Sequence, residues 1–202
     1  AMGYSPVHIY ELFKRYGKTI TSMGAGSIIN GVGGYIVNKK FNISGINDGN
    51  SIEDLYNEFA NRKNIYKMSD MNGGELLKKT RSQKKAPCQN TPAVDIKDGK
   101  EYVFTSKEKK NKSYNKYITD ISVGAAVRAS SSFPGVFCPY EYENHIFLDG
   151  GTIDNIPVSE VTKCGANKVI TVNFAPIEIT NNSNVMDIVL RAIDIMGNKI
   201  IE

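Results

Sequence analysis

The stretch FLDGGTIDNIPV, from Phe147 to Val158, ends a short apolar run in an aspartate that two glycines follow. In an open α/β sheet, ligands gather at the carboxyl ends of the strands, and Asp149 falls at such an end. Gly150 and Gly151 would let the backbone turn with unusual dihedrals and keep side chains away from the carboxylate. Two interpretations remain open from these residues alone. Asp149 is a catalytic carboxylate, or it caps the following turn, as aspartate often does before a helix.

The chain has few residues that could bind a metal ion or act as a histidine acid or base. His8 and His145 are the only histidines, so a histidine-rich metal centre is excluded and acid–base chemistry has to rest on carboxylates. His145 lies four residues before Asp149 on the same predicted strand, and we interpret it as a partly exposed histidine whose hydrogen bonds are satisfied. The three cysteines show no CxxC spacing, so they give no indication of a zinc site. We predict neither a metal nor an organic cofactor.

Three consecutive serines are candidate nucleophiles. Ser130, Ser131 and Ser132 follow the small-residue segment GAAVRA, which predicts a helix, and precede a turn through Pro134 and Gly135. A nucleophile elbow is a tight strand-to-helix turn with a glycine two residues on either side of the serine. These serines lack such glycines, and the pattern GxSxG occurs nowhere in the chain. The sequence therefore argues against a nucleophilic role for them.

The elements that must position Asp149 follow from hydrophobic pattern and turn residues. HIFL predicts a strand that leads into Asp149, PVSEVTKCG predicts a short helix with Pro157 in its first turn, and KVITVNF predicts a second buried strand. Strand, turn, helix and strand within about 30 residues predict a βαβ unit, whose two strands are parallel. Upstream, Asp98 and Gly99 form a turn signal between two short apolar runs, which predicts a hairpin.

Amphipathic patterns predict three further helices. One begins near Pro6, a second runs from Asn50 to Arg62 with Ser51 as its N-cap, and NVMDIVLRAIDIMGNKI predicts a closing helix. Between the first two, the segment from Gly24 to Val37 is rich in glycine. It matches neither a P-loop nor a dinucleotide-binding loop, which favours a flexible or closely packed segment over a phosphate site.

The composition of the 202-residue chain, with 41% hydrophobic and 23% charged residues, is typical of a soluble globular protein. A net charge of +4 falls short of a dedicated nucleic-acid-binding protein, so we predict no nucleic-acid partner. The basic runs Lys78–Lys85 and Lys107–Lys116 are interpreted as solvated loops or, alternatively, as segments that lie against anionic lipid headgroups. With neither a spanning apolar run nor a signal-peptide pattern, we predict a cytoplasmic or peripherally membrane-associated protein and leave secretion open.

Four motifs follow one another in the later part of the chain: ASSSFPGVFCP, LDGG, NIPV and GANKVI. In this order and spacing they resemble the patatin-like phospholipases, lipid acyl hydrolases whose C-terminal half carries A-S-x-x-x-P-x-x-F-x-P, D-G-[GA], N-x-P-V and G-A-[DN]-x-[VI]-I. The resemblance spans nearly the whole chain, although the region from Gly17 to Leu77 matches only in a general way. It implies an α/β fold with three layers, α/β/α, around a mostly parallel central sheet.

The resemblance also implies roles for individual residues. In the family, a serine in a GxSxG elbow attacks an ester carbonyl and the aspartate of the D-G-G motif accepts its proton, which implies that Asp149 is the proton acceptor. Gly150 and Gly151 would shape its turn, and Asn155 and Pro157 would hold the following helix. An aspartate with an ordinary pKa of about 3.9 is a weak base at neutral pH, so burial or a favourable geometry must support this role.

The chain departs from the family pattern at one essential feature. It contains neither the GxSxG elbow nor the glycine-rich oxyanion loop. The segment AMGYSP resembles the end of the helix that carries the family's nucleophile. We therefore expect residues 1–202 to form a partial patatin-like domain that begins just after the elbow and lacks the first strand, the oxyanion loop and the nucleophile.

The function we predict is a lipid acyl hydrolase of the phospholipase A type. The full-length parent would cleave an ester of a phospholipid or another lipid through a Ser-Asp dyad, and this fragment alone would be inactive. One alternative is a non-catalytic module with the patatin fold that binds lipid or a protein partner. Another is a basic protein that recognises nucleic acid through Lys78–Lys85 and Lys107–Lys116, but these runs lack interleaved aromatic residues.

Overall fold

The computed structural model describes residues 2–21, 48–71, 88–107 and 116–173, together with residues 180, 187, 188, 191, 192 and 195. The chain forms two compact units, Ala1–Asp149 and Gly150–Glu202. The boundary between them falls directly after Asp149. All of the strands described below belong to the first unit.

Five strands form one sheet: β1 Asn90–Asp95, β2 Lys100–Thr105, β3 Lys116–Ile118, β4 Tyr140–Tyr142 and β5 His145–Asp149. They lie in the order β3-β2-β1-β5-β4. β1 pairs antiparallel with β2 and with β5, and β4 pairs antiparallel with β5. β2 and β3 are parallel.

The α/β class predicted from the sequence is confirmed, but the described sheet is mixed rather than mostly parallel. The reason lies in its connections. The four residues 96–99 join β1 to β2, and the two residues 143 and 144 join β4 to β5. Turns this short connect antiparallel strands, because a parallel pair needs a crossover of a dozen or more residues.

The hairpin predicted at Asp98 and Gly99 is confirmed. β1 and β2 pair along their whole length. Gly99 has a φ of +65°, in the left-handed region that glycine adopts without a Cβ clash. The amide N–H of Lys100 donates to the carboxylate of Asp98 at 3.0 Å, which closes the turn.

The described helices are α1 Pro6–Thr21, α2 Asn50–Asn61, α3 Val123–Ser130 and α4 Val158–Lys163. All four lie where the sequence predicts a helix. Helix α3 contacts β1 and β5, α2 packs along α3, and α1 contacts α2. Helix α3 therefore connects the sheet with the other two helices of the first unit. The three-layer arrangement implied by the resemblance stays a prediction.

The start of α2 differs from the prediction. The helix begins at Asn50, so Ser51 lies inside it, and the N-cap is Gly49, with a φ of +70° and no side-chain cap. Asp48 supplies part of the capping instead, because its carboxylate accepts the amide N–H of Asn50 at 3.1 Å. The apolar face of α2 is buried as expected through Ile52, Leu55 and Phe59.

The core of the first unit lies between α3 and the sheet. On the sheet side, the ring of Phe147 packs edge-on against Phe104 and Tyr102, with centroid distances of 5.1 and 5.5 Å. Small side chains on α3 allow the helix to approach these rings closely. The buried core residues of α3 are Val123, Ala125, Ala126 and Ala129.

The predicted βαβ unit is only partly confirmed. β5 and α4 form as predicted, and Gly165 follows α4 with a φ of +92°. The described residues of the next segment, Lys168–Asn173, form no strand, and Ile170 and Val172 are 93% and 83% exposed. Within the first unit, β5 pairs antiparallel with β1 over Phe147–Asp149 and with β4 over His145–Phe147. The prediction of a second buried strand here is wrong.

Several predictions concern residues outside those that the structure describes. These are the glycine-rich segment Gly24–Val37, the basic run Lys78–Lys85, and the run Lys107–Lys116 except for its two ends. For the closing helix, the described positions are helical, as predicted: Asp187, Ile188, Arg191, Ala192 and Ile195.

Candidate active site

Asp149 is the last residue of β5, at the carboxyl end of the strand. It lies opposite Ala93 in the pairing of β5 with β1. Its amide N–H donates to the backbone oxygen of Ser132 at 3.1 Å, in the segment that follows α3. The residue is half-buried. Its backbone is therefore held from two sides, by a neighbouring strand and by the end of a helix.

Ser132 is fully buried, and its hydroxyl is engaged on both sides. Its Oγ accepts a hydrogen bond from Arg128 Nη1 at 2.6 Å and donates to the backbone oxygen of Arg128 at 3.0 Å. A nucleophilic serine needs an accessible hydroxyl whose proton can pass to a base. This geometry supports a structural role for Ser132.

Ser130 and Ser131 lie in the wrong order of elements for a nucleophile elbow. Ser130 is the last residue of α3 and Ser131 is its C-cap, so both come at the end of a helix. In an elbow the serine follows a strand and precedes a helix, which exposes its hydroxyl above the sheet. The geometry agrees with the lack of flanking glycines in the sequence.

Arg128 is only 1% exposed, and its guanidinium makes further hydrogen bonds besides the one to Ser132. Its Nε donates to the backbone oxygen of Asp48 at 2.7 Å, and its Nη2 donates to the same oxygen and to that of Cys138 at 2.7 Å. The guanidinium carbon lies 5.6 Å from the ring centroid of Phe137 and 5.8 Å from that of Tyr140. Burial lowers the pKa of Arg128, but arginine starts so high that the group keeps its charge.

Sequence reasoning missed Arg128. The available signal was an arginine inside GAAVRAS, a helix that is otherwise made of small residues. A charged residue on such a helix is rarely buried without partners, so its position predicts either an exposed face or a buried polar network. Only the three-dimensional arrangement distinguishes these two.

Tyr140 links the arginine region to a carboxylate. Its hydroxyl donates to Glu53 Oε1 at 3.3 Å. Burial, together with the negative charge of Glu53, raises the pKa of Tyr140 to about 12. The phenol therefore stays protonated at neutral pH and acts as a hydrogen-bond donor.

His145 forms a pair with Asp95 at the opposite end of β5 from Asp149. Its Nδ1 lies 2.6 Å from Asp95 Oδ2, and its side chain is 24% exposed. The same carboxylate accepts the amide N–H groups of Lys97 and Ile146, at 2.9 and 3.2 Å. This agrees with the expectation of a partly exposed histidine with satisfied hydrogen bonds, and it gives His145 a structural partner of its own.

The turn after Asp149 is organised differently from the expectation. Gly150 and Gly151 begin a 3₁₀ turn, Gly150–Thr152, and neither has a positive φ. A 3₁₀ turn uses negative φ values that any residue can adopt. The expected unusual dihedrals are therefore not found.

The residues before α4 also have roles that differ from those expected. Pro157 is the N-cap of α4 rather than a residue of its first turn. Asn155 is exposed and makes no hydrogen bond within the described part of the chain. Instead, Asp154 Oδ1 accepts the amide N–H of Ile156 at 3.2 Å. This Asx turn is the local signal that sequence reasoning overlooked.

The structure also brings together Ser5 and His8, a pair that the sequence did not single out. Ser5 Oγ lies 2.8 Å from His8 Nδ1 and accepts the amide N–H of His8 at 3.3 Å. Ser5 directly precedes α1, so this is the spacing of an N-terminal cap. Among the described residues, no carboxylate is hydrogen-bonded or ion-paired to His8, which leaves the pair without the third member of a catalytic triad.

Two properties of the described residues are relevant to function. No helix there combines the length and the apolar character that crossing a bilayer requires. No group of three or more His, Cys, Asp or Glu side chains lies close enough together in that part of the chain to hold a metal ion.

Comparison with known proteins connects these residues to a family. The sequence profile described as patatin-like phospholipase matches residues 2–162. A protein named lysophospholipase NTE1 from Meyerozyma guilliermondii is 42% identical over 52 residues, which make up 26% of this chain and 4% of that protein. The protein of the same name from Yarrowia lipolytica is 39% identical over 61 residues, or 30% of this chain and 4% of that protein. An uncharacterized NTE family protein of Mycobacterium bovis is 37% identical over 50 residues, or 25% of this chain and 14% of that protein.

The two kinds of match differ in extent. The chain spans only 4% to 14% of the length of these three relatives. The family profile, in contrast, covers most of the chain and includes α1 to α3, the whole described sheet and Asp149. A phospholipase profile and an α/β fold with the D-G-G motif at a strand end give the same assignment. The chain belongs to the patatin-like phospholipase family.

Proposed function

We propose that Asp149 is the general base of a Ser-Asp dyad that hydrolyses an acyl ester of a phospholipid or a related lipid. The observation that carries the proposal is the placement of the D-G-G aspartate at the carboxyl end of β5, with its backbone held by Ala93 and Ser132. Ligand sites of α/β sheets gather at such strand ends. The family membership and the relatives named as lysophospholipases support a lipid substrate.

The nucleophile, in this proposal, is a serine of the parent protein outside residues 1–202. The described serines near Asp149 do not suit the role, because Ser132 is buried with its hydroxyl engaged and Ser130 and Ser131 end a helix. No GxSxG occurs in the chain. The parent protein would supply the elbow and the oxyanion donors, and residues 1–202 would supply the base.

The proposed reaction runs in two halves through an acyl-serine. The serine Oγ attacks the ester carbonyl carbon while the Asp149 carboxylate takes the hydroxyl proton. The tetrahedral intermediate expels the alcohol, which takes this proton from Asp149. Water then attacks the acyl-serine, Asp149 accepts the water proton, and the serine leaves with that proton as the fatty acid is released.

The test uses a fluorophosphonate probe on the full-length parent and on the chain of residues 1–202. We expect a labelled peptide that precedes Ala1 in the parent and no label on the isolated chain. Asp149→Asn should slow labelling of the parent by about a hundredfold or more, since a general base contributes 10²–10⁴-fold. Asp154→Asn is the matched control, because the same isosteric change in the same loop preserves the Asx turn.

Two results would contradict the proposal. Label on Ser5, Ser130, Ser131 or Ser132 would place the nucleophile inside this chain. Unchanged labelling of the parent protein that carries Asp149→Asn would show that Asp149 is not the general base. If neither result is obtained, mass spectrometry of the fatty acids released from phospholipid and lysophospholipid substrates would identify the preferred ester.

The competing proposal is a non-catalytic patatin-fold module that binds lipid or a protein partner. The observation that favours it is the lack of any GxSxG in residues 1–202. A parent reading frame without an upstream GxSxG, together with unlabelled parent protein, would support this module over the hydrolase.

A further inference from the structure

We propose that Arg128 is a positioning residue for Asp149 and that it acts through Ser132. The inference deepens the proposed function, on which its catalytic consequence rests. Its structural part, a chain of contacts from Arg128 to the backbone of Asp149, depends only on the described residues.

The first step joins Arg128 to Ser132. The guanidinium donates from Nη1 to Ser132 Oγ at 2.6 Å, and the same hydroxyl donates back to the backbone oxygen of Arg128 at 3.0 Å. Both residues are 1% exposed or less, so water does not compete for these bonds. A serine bonded in both directions cannot change its rotamer without breaking a buried hydrogen bond. Ser132 is therefore fixed relative to α3.

The second step joins Ser132 to Asp149. The backbone oxygen of Ser132 accepts the amide N–H of Asp149 at 3.1 Å. On the other side, β1 pairs with the end of β5 at Ala93. The β1 pairing fixes the strand, and the Ser132 bond fixes the point at which the chain leaves it. Any shift of Ser132 is thus transmitted directly to the residue that carries the carboxylate.

The third step anchors Arg128 itself. Its Nε and Nη2 donate to the backbone oxygen of Asp48 before α2, and Nη2 also donates to that of Cys138 before β4. One rigid guanidinium therefore joins the segment before α2, which is 80 residues away in sequence, to two positions in the segment that follows α3. Lysine cannot reproduce this arrangement, because its single ammonium group lacks the planar fork of donors.

The surroundings of the guanidinium are adapted to it. Gly49 has a φ of +70°, and a Cβ placed on it would overlap Nε, Cδ and Cζ of Arg128. Burying a cation among neutral carbonyl oxygens is costly, and an apolar side chain could fill the same volume without that cost. The use of a charged group at this position is explained by the geometry that its donors impose on Ser132.

The test uses the full-length parent with three variants: Ser132→Ala, Arg128→Lys, and Arg62→Lys as the control. Ser132→Ala removes the hydroxyl link but keeps the backbone oxygen. Arg62 is an exposed arginine paired with Glu58, so its replacement leaves the contact chain intact. Thermal melting identifies any variant that fails to fold. If Arg128→Lys does not fold, Ser132→Ala, which is the smaller change, still tests the inference.

The first readout is hydrogen exchange at the amide of Asp149, resolved by fragmentation mass spectrometry. We expect exchange at least about tenfold faster in Ser132→Ala and Arg128→Lys than in the wild type, since a loosened acceptor lowers the local opening free energy. The control should match the wild type. Wild-type protection of Asp149 in Ser132→Ala would overturn the inference, whatever the activity.

The second readout is kcat per active site, with sites counted by fluorophosphonate titration. We expect kcat per titrated site to fall about 10- to 100-fold with little change in KM, because small misplacements of a catalytic group have effects of this size. A purely structural role would lower only the titratable fraction, and that result would overturn the inference. Undiminished kcat in Asp149→Asn would instead refute the proposed function, and the exchange measurement would still decide the contact chain.

Discussion

At the scale of single residues, the Asp95 carboxylate shows how hydrogen bonds can outweigh burial. Burial acts to raise its pKa, but the hydrogen bonds from His145 and from the amides of Lys97 and Ile146 lower it, and the net shift is downward. A carboxyl group with a lowered pKa in the folded state stabilises that state above its unfolded pKa of about 3.9. This contribution is lost as the pH falls through the lowered value.

The Asp95→Asn variant tests this residue. We expect it to lower the free energy of unfolding by about 1–3 kcal/mol at pH 7, the usual cost of losing a buried charged hydrogen-bond acceptor. The difference from the wild type should shrink below about pH 4, as the carboxyl group is protonated first in the unfolded wild type and then, at lower pH, in the folded wild type. Urea denaturation between pH 7 and pH 3 measures both effects.

A control comes from an exposed carboxylate. Asp120 pairs with Lys67, but its side chain is 76% exposed, so Asp120→Asn should change stability very little. If Asp95→Asn changed the free energy of unfolding at pH 7 as little as this control does, the His145–Asp95 pair would make no contribution to stability.

At the scale of elements, the contact between α2 and α3 depends on a glycine. Gly124 donates its amide N–H to Asn57 Oδ1 at 2.8 Å, and a Cβ on it would overlap the backbone oxygen of Glu53. Backbone atoms cannot swing aside as a flexible side chain can. The spacing of the two helices is therefore set by the absence of a side chain.

Two substitutions of glycine by alanine should have opposite effects. Gly124→Ala should destabilise the protein by about 1–3 kcal/mol through overpacking, although alanine favours a helix. A Cβ added to Gly17, in α1, would meet no described atom within 4 Å, so Gly17→Ala should stabilise by about 0.5–1 kcal/mol. Thermal denaturation of both variants checks the signs, and equal signs would contradict the packing argument.

At the scale of the whole molecule, the mild positive charge of the chain is relevant to membranes. The net charge is +4, and the basic runs Lys78–Lys85 and Lys107–Lys116 each contain five Lys or Arg residues with a single acidic residue, Glu108, between them, so together they carry more positive charge than the whole chain has net. Cations near an anionic lipid surface each contribute about 1 kcal/mol of binding. We propose that these runs provide peripheral contact with anionic lipid.

Vesicle sedimentation tests this contact. Lys78→Gln and Lys79→Gln should each weaken binding to phosphatidylserine-containing vesicles about fivefold, with binding falling further as salt rises. Lys67→Gln is the control, because Lys67 pairs with Asp120 outside both runs. Equal binding to neutral phosphatidylcholine vesicles would show that charge does not drive the contact.

Local features of the sequence were sufficient for most of the elements. The Asp98-Gly99 turn, the amphipathic face of α2 and the small-residue helix α3 each depend on neighbours within a few residues, and each was predicted correctly. The second strand of the βαβ unit failed because a strand exists only through its partners. Residues 168–173 have the apolar pattern, but they form no strand, and Ile170 and Val172 are exposed.

The sequence by itself determined the family, through four motifs in order, and it identified Asp149 as the candidate base. It could not determine which neighbouring strands of the sheet are parallel and which are antiparallel, or the role of Arg128. The guanidinium contacts residues 80, 10 and 4 positions away, and Ser132 contacts Asp149 across another 17. The bonds from Arg128 to Asp48 and from Asp149 to Ser132 join different segments, so they depend on how the chain packs in three dimensions, and no local pattern encodes that packing. Only the tertiary structure could therefore show what holds Asp149 in place.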